Sequence, residues 1–165
     1  MRYSSIRKMD ITNGPGVRVS IFTQGCDIRC KGCFNSDIWD YEGGKEWTLD
    51  TKKHVLELCN KPQVAGLSIL GGEPLSEQNL NDLRDLCETF KARFPSKDIW
   101  LWTGHVYEEL TINQLQVLNY IDVLVDGPWD IDLGDFSLKY RGSSNQRIID
   151  IPKSLEKNRT VLKEV

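Results

Sequence analysis

Cys26, Cys30 and Cys33 stand together in the stretch QGCDIRCKGCFN (24–35) and account for three of the chain's five cysteines. Thiols this close serve as disulfide partners, as zinc ligands or as iron ligands. An odd cysteine count is a poor basis for a disulfide framework. The N-terminal residues MRYSSIRKMDITNG contain no apolar core of a secretory signal. No apolar run approaches the roughly 20 residues that span a bilayer. The expected location is therefore the cytoplasm, where thiols stay reduced, and metal or cluster ligation takes precedence.

Thiolate sulfur suits zinc and iron–sulfur clusters, and it suits magnesium and calcium poorly. A closed structural zinc site needs four protein ligands, and the loop supplies three. The fourth would have to be Cys59, Cys87, His54 or His105. Cys59 and Cys87 fall on apolar helical stripes, where a free thiol acts as a small hydrophobe. His54 sits beside Lys52 and Lys53 as a solvated helix residue, and His105 follows a Thr-Gly turn. A [4Fe–4S] cluster held by three thiolates keeps one iron without a protein ligand, and an open metal position is a catalytic signature. Spacing alone leaves a catalytic cluster and zinc equally open.

The elements that must position these residues read as alternating strands and helices. Strand-length runs occur at 17–23 (VRVSIFT), 65–70, 98–103, 121–126 and 147–151. Helical spacing marks TLDTKKHVLELC, where Thr48 or Asp50 caps and Val55, Leu58 and Cys59 share a face. It also marks SEQNLNDLRDLCETFKARF, with Ser76 as N-cap and Leu83, Leu86, Cys87 and Phe90 inward, and the shorter TINQLQVLNY. Alternation of this kind predicts a parallel α/β sheet. A complete eight-unit barrel takes about 250 residues. With 165 residues, the expectation is a single domain over 1–165: an incomplete, open (β/α) barrel with mostly parallel strands, or a small doubly wound sheet. In both the chemistry sits at the carboxyl ends of the strands. The cysteine loop follows VRVSIFT directly, so it fits that geometry. A net charge of -3 without a long run of one sign gives no basic patch for nucleic acid.

Taken alone, LGGEP (70–74) reads as a strand-to-helix turn. With the cysteines it acquires a second meaning. CxxxCxxC after the first strand, and GGEP after the next, resemble the radical S-adenosylmethionine (SAM) superfamily. NGPGVR (13–18) and CFNSDIWD (33–40) resemble its glycyl-radical-enzyme activases. DIWLWTG (98–104), DVLVDGP (122–128) and RGSSNQRIID (141–150) narrow the likeness to the activases of anaerobic ribonucleoside-triphosphate reductase. The matches run from about Asp10 to Asp150.

That resemblance implies a fold of the radical SAM type and an oxidoreductase. Cys26, Cys30 and Cys33 would hold three irons of a [4Fe–4S] cluster, with SAM on the fourth. One electron would cleave SAM to methionine and a 5′-deoxyadenosyl radical, which abstracts hydrogen from a glycine of the reductase. Gly71, Gly72 and Glu73 would hold the amino group of SAM, through backbone carbonyls and the carboxylate. Thr103, Gly104 and Asp126 would line its pocket, with a monovalent cation nearby. Relatives often carry an aromatic residue just before the third cysteine, near the adenine; here that position is Gly32, with Phe34 beyond Cys33. An external donor, such as flavodoxin or a thioredoxin-type system, would supply the electron. Arg18 would pair with an acidic group of cofactor or partner, unless NGPGVR is only a turn. Of Trp100 and Trp102, at least one is expected to pack inside. Trp39, Trp47 and Trp129 would form a partner surface. Arg141, Ser143, Ser144 and Asn145 of YRGSSNQ would bind the backbone of an incoming glycine loop, or else form a solvated turn. The other readings are an activase of the formate-lyase type, a zinc-binding interaction module and an iron–sulfur electron carrier.

Overall fold

The structure, a computed structural model, describes residues 1–165. Seven strands form one open sheet: β1 (Arg2–Asp10), β2 (Val17–Thr23), β3 (Lys45–Glu46), β4 (Val64–Gly71), β5 (Asp98–Trp102), β6 (Val123–Asp126) and β7 (Arg147–Asp150). Their spatial order is β3-β1-β2-β4-β5-β6-β7. Only the centre, β2-β4-β5-β6, is parallel; β1, β3 and β7 pair antiparallel. The expectation of mostly parallel strands therefore holds in the middle and fails at the edges. Parallel neighbours need a crossover, usually a helix. The link β1–β2 has no helix and the link β6–β7 only a 3-10 turn at Ile131–Leu133, so those strands turn back.

The helices are α1 (Leu49–Cys59), α2 (Leu80–Arg93), α3 (Ile112–Leu118) and α4 (Ile151–Lys157). Thr48, not Asp50, caps α1: its hydroxyl accepts the Thr51 N–H in a reciprocal capping box. Thr111 and Gln114 cap α3 in the same way. Ser76 does not cap α2. A short 3-10 turn, Glu77–Asn79, intervenes, and the Ser76 hydroxyl instead bonds Tyr41 Oη at 2.8 Å. Strand β7 stops at Asp150, which caps the unexpected helix α4 through the Lys153 N–H.

Strand side chains alternate between two faces. The register sets Ile21, Ile69, Leu101, Leu124 and Ile149 in one row across the sheet. That face joins Val55, Leu58 and Cys59 of α1, Leu83, Leu86, Cys87 and Phe90 of α2, and Val117 and Leu118 of α3 in one buried core. Helices cover this face alone, which excludes a doubly wound sheet. The other face carries the rows Ser20–Ser68–Trp100–Val123 and Phe22–Leu70–Trp102–Val125. Trp100, Val123, Val125 and Ile148 form a small second cluster there, with Trp102 and Tyr140 packed against it.

At the β7 edge the chain returns once more. Asp150 N–H donates to Val161 and Lys163 N–H to Ile148, each at 2.8 Å, so residues 161–163 cover that edge.

Candidate functional site

A cavity of about 720 Å³ opens at the carboxyl ends of the central strands. Its walls come from five segments: the β1–β2 turn at Thr12 and Asn13, the cysteine loop after β2, the glycine turn after β4, the end of β5, and the long connection between β6 and β7.

The cysteine loop is closed at its base by two backbone bonds. Gly25 N–H donates to Ile38 at 2.7 Å and Cys26 N–H to Trp39 at 3.1 Å. Gly25 has φ +95°, and a Cβ there would lie 2.0 Å from the Tyr41 ring; no other residue fits. Cys33 N–H turns back to Cys30 at 3.1 Å. All three thiols are free and face the cavity. Burial pushes the thiols of Cys26 and Cys30 up. Binding to a metal therefore has to displace protons that burial retains.

No three His, Cys, Asp or Glu side chains converge closely enough to hold one ion. The three sulfurs instead share one wall of a roomy space. A cluster takes one thiolate per iron, and three thiols lining one cavity can supply such ligands. Cys59 and Cys87 lie in the helical core, at 0% exposure, away from this wall. His54 is exposed on α1, and His105 is not among the cavity's lining residues.

Against the base of the cysteine loop stands the turn after β4. Gly71, Gly72 and Glu73 line the cavity. Gly72 N–H donates to Thr23 at 2.9 Å and Glu73 N–H to Gly25 at 2.8 Å. The two loops therefore touch through backbone, and a Cβ on Gly72 would lie 2.1 Å from the Gly25 carbonyl oxygen. The Glu73 carboxylate is 2% exposed. Its Oε1 accepts the Leu75 N–H at 2.9 Å and the Thr103 hydroxyl at 2.7 Å, and its Oε2 accepts the Gly104 N–H at 2.7 Å. Burial raises its pKa, opposed by these bonds. A carboxylate has about four acceptor positions, so one remains, on Oε2.

Gly32, Phe34, Thr103 and Gly104 line the cavity; Asp126 does not. The partners of Asp126 explain the difference. Asp126 falls in the helix-side row Thr23–Gly71, Thr103, Asp126–Arg147, and its carboxylate accepts from Arg147 and from the Tyr107 N–H at 2.8 Å. Thr103 shares that side but reaches the cavity rim through Glu73. Phe34, 73% exposed, packs on Trp129 with ring centroids 5.1 Å apart.

Arg18 is not available to a cofactor. It is fully buried on the sheet, ion-paired to Asp98 at 2.8 Å, and donates to Ser68 at 2.7 Å and to the Leu67 carbonyl at 3.0 Å. Ser68 in turn donates to the Asn13 carbonyl at 2.6 Å. Arg18 therefore fixes the loop that carries Thr12 and Asn13 to the cavity wall. Trp47 is no partner surface either, being buried edge-on against Tyr3; Trp39 and Trp129 are half-buried in the cavity wall.

The donors of YRGSSNQ are largely used within the β6–β7 connection. Arg141 donates to the Gln146 carbonyl, Asn145 to the Pro128 carbonyl at 2.8 Å, and the buried Ser143 hydroxyl accepts the Asp130 N–H at 3.1 Å. Gln146, passed over in the sequence, holds Gly127, Gly142 and Ser143 together through its amide. Trp102 was also missed as a wall residue; its position in the strand alternation, one residue before Thr103, is the signal that places it on the cavity face.

The chain matches the family described as 4Fe-4S single cluster domain over residues 12–149. It is 43% identical over 148 residues to the anaerobic ribonucleoside-triphosphate reductase-activating protein of Enterobacteria phage T4, covering 90% of this chain and 93% of that one. The protein of the same name from Escherichia coli K12 is 41% identical, with 88% and 96% covered. That from Vibrio cholerae is 39% identical, with 90% and 97% covered.

Proposed function

Because the chain belongs to the family of anaerobic ribonucleoside-triphosphate reductase-activating proteins and carries its 4Fe-4S domain, we propose that it is a radical SAM activase that installs the glycyl radical of that reductase. The observation that carries this reading is that the three free cysteines and the Gly71–Gly72–Glu73 turn line a single cavity. The open sheet, with helices on one face and the cavity at the strand ends, supports an incomplete barrel of the radical SAM type.

Cys26, Cys30 and Cys33 would hold the cluster by three irons. With SAM on the fourth, the chemistry supplied is one-electron cleavage of the sulfonium, giving methionine and a 5′-deoxyadenosyl radical that takes a hydrogen atom from the glycine α-carbon. The chain's own residues orient and enclose. Gly71 and Gly72 let backbone carbonyls approach the ligand, and the free position on Glu73 Oε2 accepts from its ammonium group. Trp102, Trp129 and Phe34 supply apolar walls that exclude water. An external donor of the flavodoxin or thioredoxin type supplies the electron. No helix is long and apolar enough to cross a membrane, and three reduced thiols favour the cytoplasm.

The test is anaerobic reconstitution with iron and sulfide, then incubation with SAM, reductant and the reductase. Expected are 5′-deoxyadenosine and a glycyl radical seen by electron paramagnetic resonance. Stoichiometric zinc without iron would favour an interaction module. A cluster without SAM cleavage would favour an electron carrier. Radical formation on a formate-lyase-type enzyme alone would move the assignment to that activase.

A further inference from the structure

Three large apolar side chains both line the cavity and face solvent, so they mark its mouth. Phe34 is 73% exposed, Ile131 45% and Phe136 99%. They belong to two loops, the cysteine loop and the β6–β7 connection, and these loops are in contact. Phe34 packs on Trp129. At Gly32, with φ +74°, a Cβ would lie 2.7 Å from Ile131 Cδ1, so the missing side chain lets the two loops close on each other. Single exposed apolar side chains are ordinary, whereas a group of them at one rim marks an interaction site. Carboxylates accompany the apolar lip. Asp130, Asp132 and Asp135 fall on the same connection, and none forms an ion pair with the chain's own cations.

We infer that this lip is the docking surface for the reductase segment that bears the radical glycine, and that this segment carries an apolar and a cationic side chain beside that glycine. The inference rests on the activase reading above and names what the site grips. Hydrogen transfer needs the reacting atoms in contact, so the partner's glycine must enter the cavity and its neighbours must cross the mouth. Glycine has no side chain to recognise, so those neighbours carry the affinity. An apolar lip answers an apolar neighbour, and unpaired carboxylates answer a cation. A second copy of this chain seated on the lip would shut the mouth against the protein substrate, which argues against self-association on this face.

The experiment uses the full chain, reconstituted anaerobically, as wild type, Phe136→Ser and Asp132→Lys; both positions are exposed. Four quantities are measured: affinity for the reductase, glycyl-radical yield against reductase concentration, 5′-deoxyadenosine formed without the reductase, and sedimentation of the activase alone. Phe136→Ser should weaken reductase binding about tenfold, the size of effect expected of an aromatic anchor. Asp132→Lys should weaken it at low salt, with the difference shrinking as salt is added. The reductase concentration for half-maximal radical yield should rise in step, while iron content and uncoupled cleavage stay at wild-type levels. A peptide spanning the radical glycine should compete for the wild type, and compete less with its cations replaced by alanine. Wild-type binding in both variants overturns the inference. Weakening in Phe136→Ser alone, with equal competition by the two peptides, keeps the apolar lip and overturns the cationic neighbour. A fall in uncoupled cleavage in Phe136→Ser assigns the ring to the SAM site and overturns the lip. So does a wild-type dimer that Phe136→Ser converts to monomer without changing reductase binding. A wild type that cleaves no SAM but binds the reductase through Phe136 removes the activase reading and leaves the docking surface, whereas an active wild type matched by both variants removes only the docking surface.

Discussion

Thr103 Oγ1 donates to Glu73 Oε1 at 2.7 Å, and this one bond joins the carboxyl ends of two adjacent parallel strands beside the cysteines. Glu73 is thus both a candidate ligand group and a clasp between β4 and β5. Glu73→Gln should weaken SAM binding, because an amide N–H₂ replaces an acceptor that faces either the Gly104 N–H or the ligand. Loss of a charge-assisted bond is worth about 1.5–3 kcal/mol, roughly 10- to 150-fold in affinity. SAM titration of the reduced cluster measures it. Thr103→Val, which removes a donor and leaves Oε2 intact, should lower affinity less and thermal stability by about 1 kcal/mol. Equal SAM affinity in wild type and Glu73→Gln would exclude Glu73 from binding.

The five thiols should separate into two groups. Burial pushes Cys59 up to about 12 and Cys87 higher still, so neither thiolate forms near neutral pH. In native apo-protein, iodoacetamide should reach the cavity-lining Cys26, Cys30 and Cys33, the first two more slowly because burial raises their thiols too, and spare the other two. Iron retention should follow the same division: alanine at 26, 30 or 33 abolishes the cluster, and alanine at 59 or 87 leaves it. Loss of the cluster in Cys59→Ala or Cys87→Ala would refute the three-ligand assignment.

Gly72→Ala should damage the site without touching a ligand group. Its Cβ would meet the Gly25 carbonyl oxygen at 2.1 Å, and that oxygen accepts the Glu73 N–H. Both loops must part to admit a methyl group. Reconstituted iron content and SAM affinity should fall together, while far-ultraviolet circular dichroism stays near that of wild type.

Acid should loosen the loop that bears Thr12 and Asn13. Burial opposes ionisation of Asp10, but bonds from Asn13, the Thr12 N–H and the Thr12 hydroxyl outweigh it and bring the carboxyl from 3.8 to about 2. The folded state therefore favours the carboxylate. Its contribution is complete above the unfolded value and is lost as pH falls from 3.8 to about 2. Asp10→Asn should lower the melting temperature at pH 7, and the difference from wild type should vanish at the acid end. A constant difference across that range would contradict the assignment.

Arg141 and Asn145 act as braces for the β6–β7 connection. Replacing Asn145 with Ala frees the Pro128 carbonyl beside Trp129, a cavity wall. Uncoupled SAM cleavage and glycyl-radical yield should fall together, by about fivefold for a bond worth ~1 kcal/mol. Loss of radical yield alone would instead indicate direct contact with the partner's glycine loop.

The parts of the site that could be read from sequence are those written in contiguous residues. The cysteine loop and the Gly-Gly-Glu turn each carry their chemistry within a few positions, and a strand precedes each. Asp126 illustrates what was not legible. It closes a strand on the same side of the sheet as Thr103, but the pairing of β6 with β7 brings Arg147, 21 positions away, onto its carboxylate. Arg18 looked like a free cation because its partners are Ser68, Leu67 and Asp98, 49 to 80 positions away. Strand β1 went unseen because its exposed positions, among them Arg7, Lys8 and Met9, break any apolar alternation. The β6–β7 connection has no periodicity to read, and its order comes from side-chain bonds such as those of Gln146.

The pairing order of the central strands follows the order in which they are made, and this sets a sequence in time. Strands β2, β4, β5, β6 and β7 lie side by side in the order in which they are synthesised. The cysteine loop is synthesised early, whereas the wall facing it, which includes Trp129 and Ile131, and residues 161–163 at the last strand's edge come late. During growth the three thiols therefore stand in a half-built recess, open to oxidants and to stray metal ions. Faithful loading of the cofactor belongs after synthesis, when the recess has both sides.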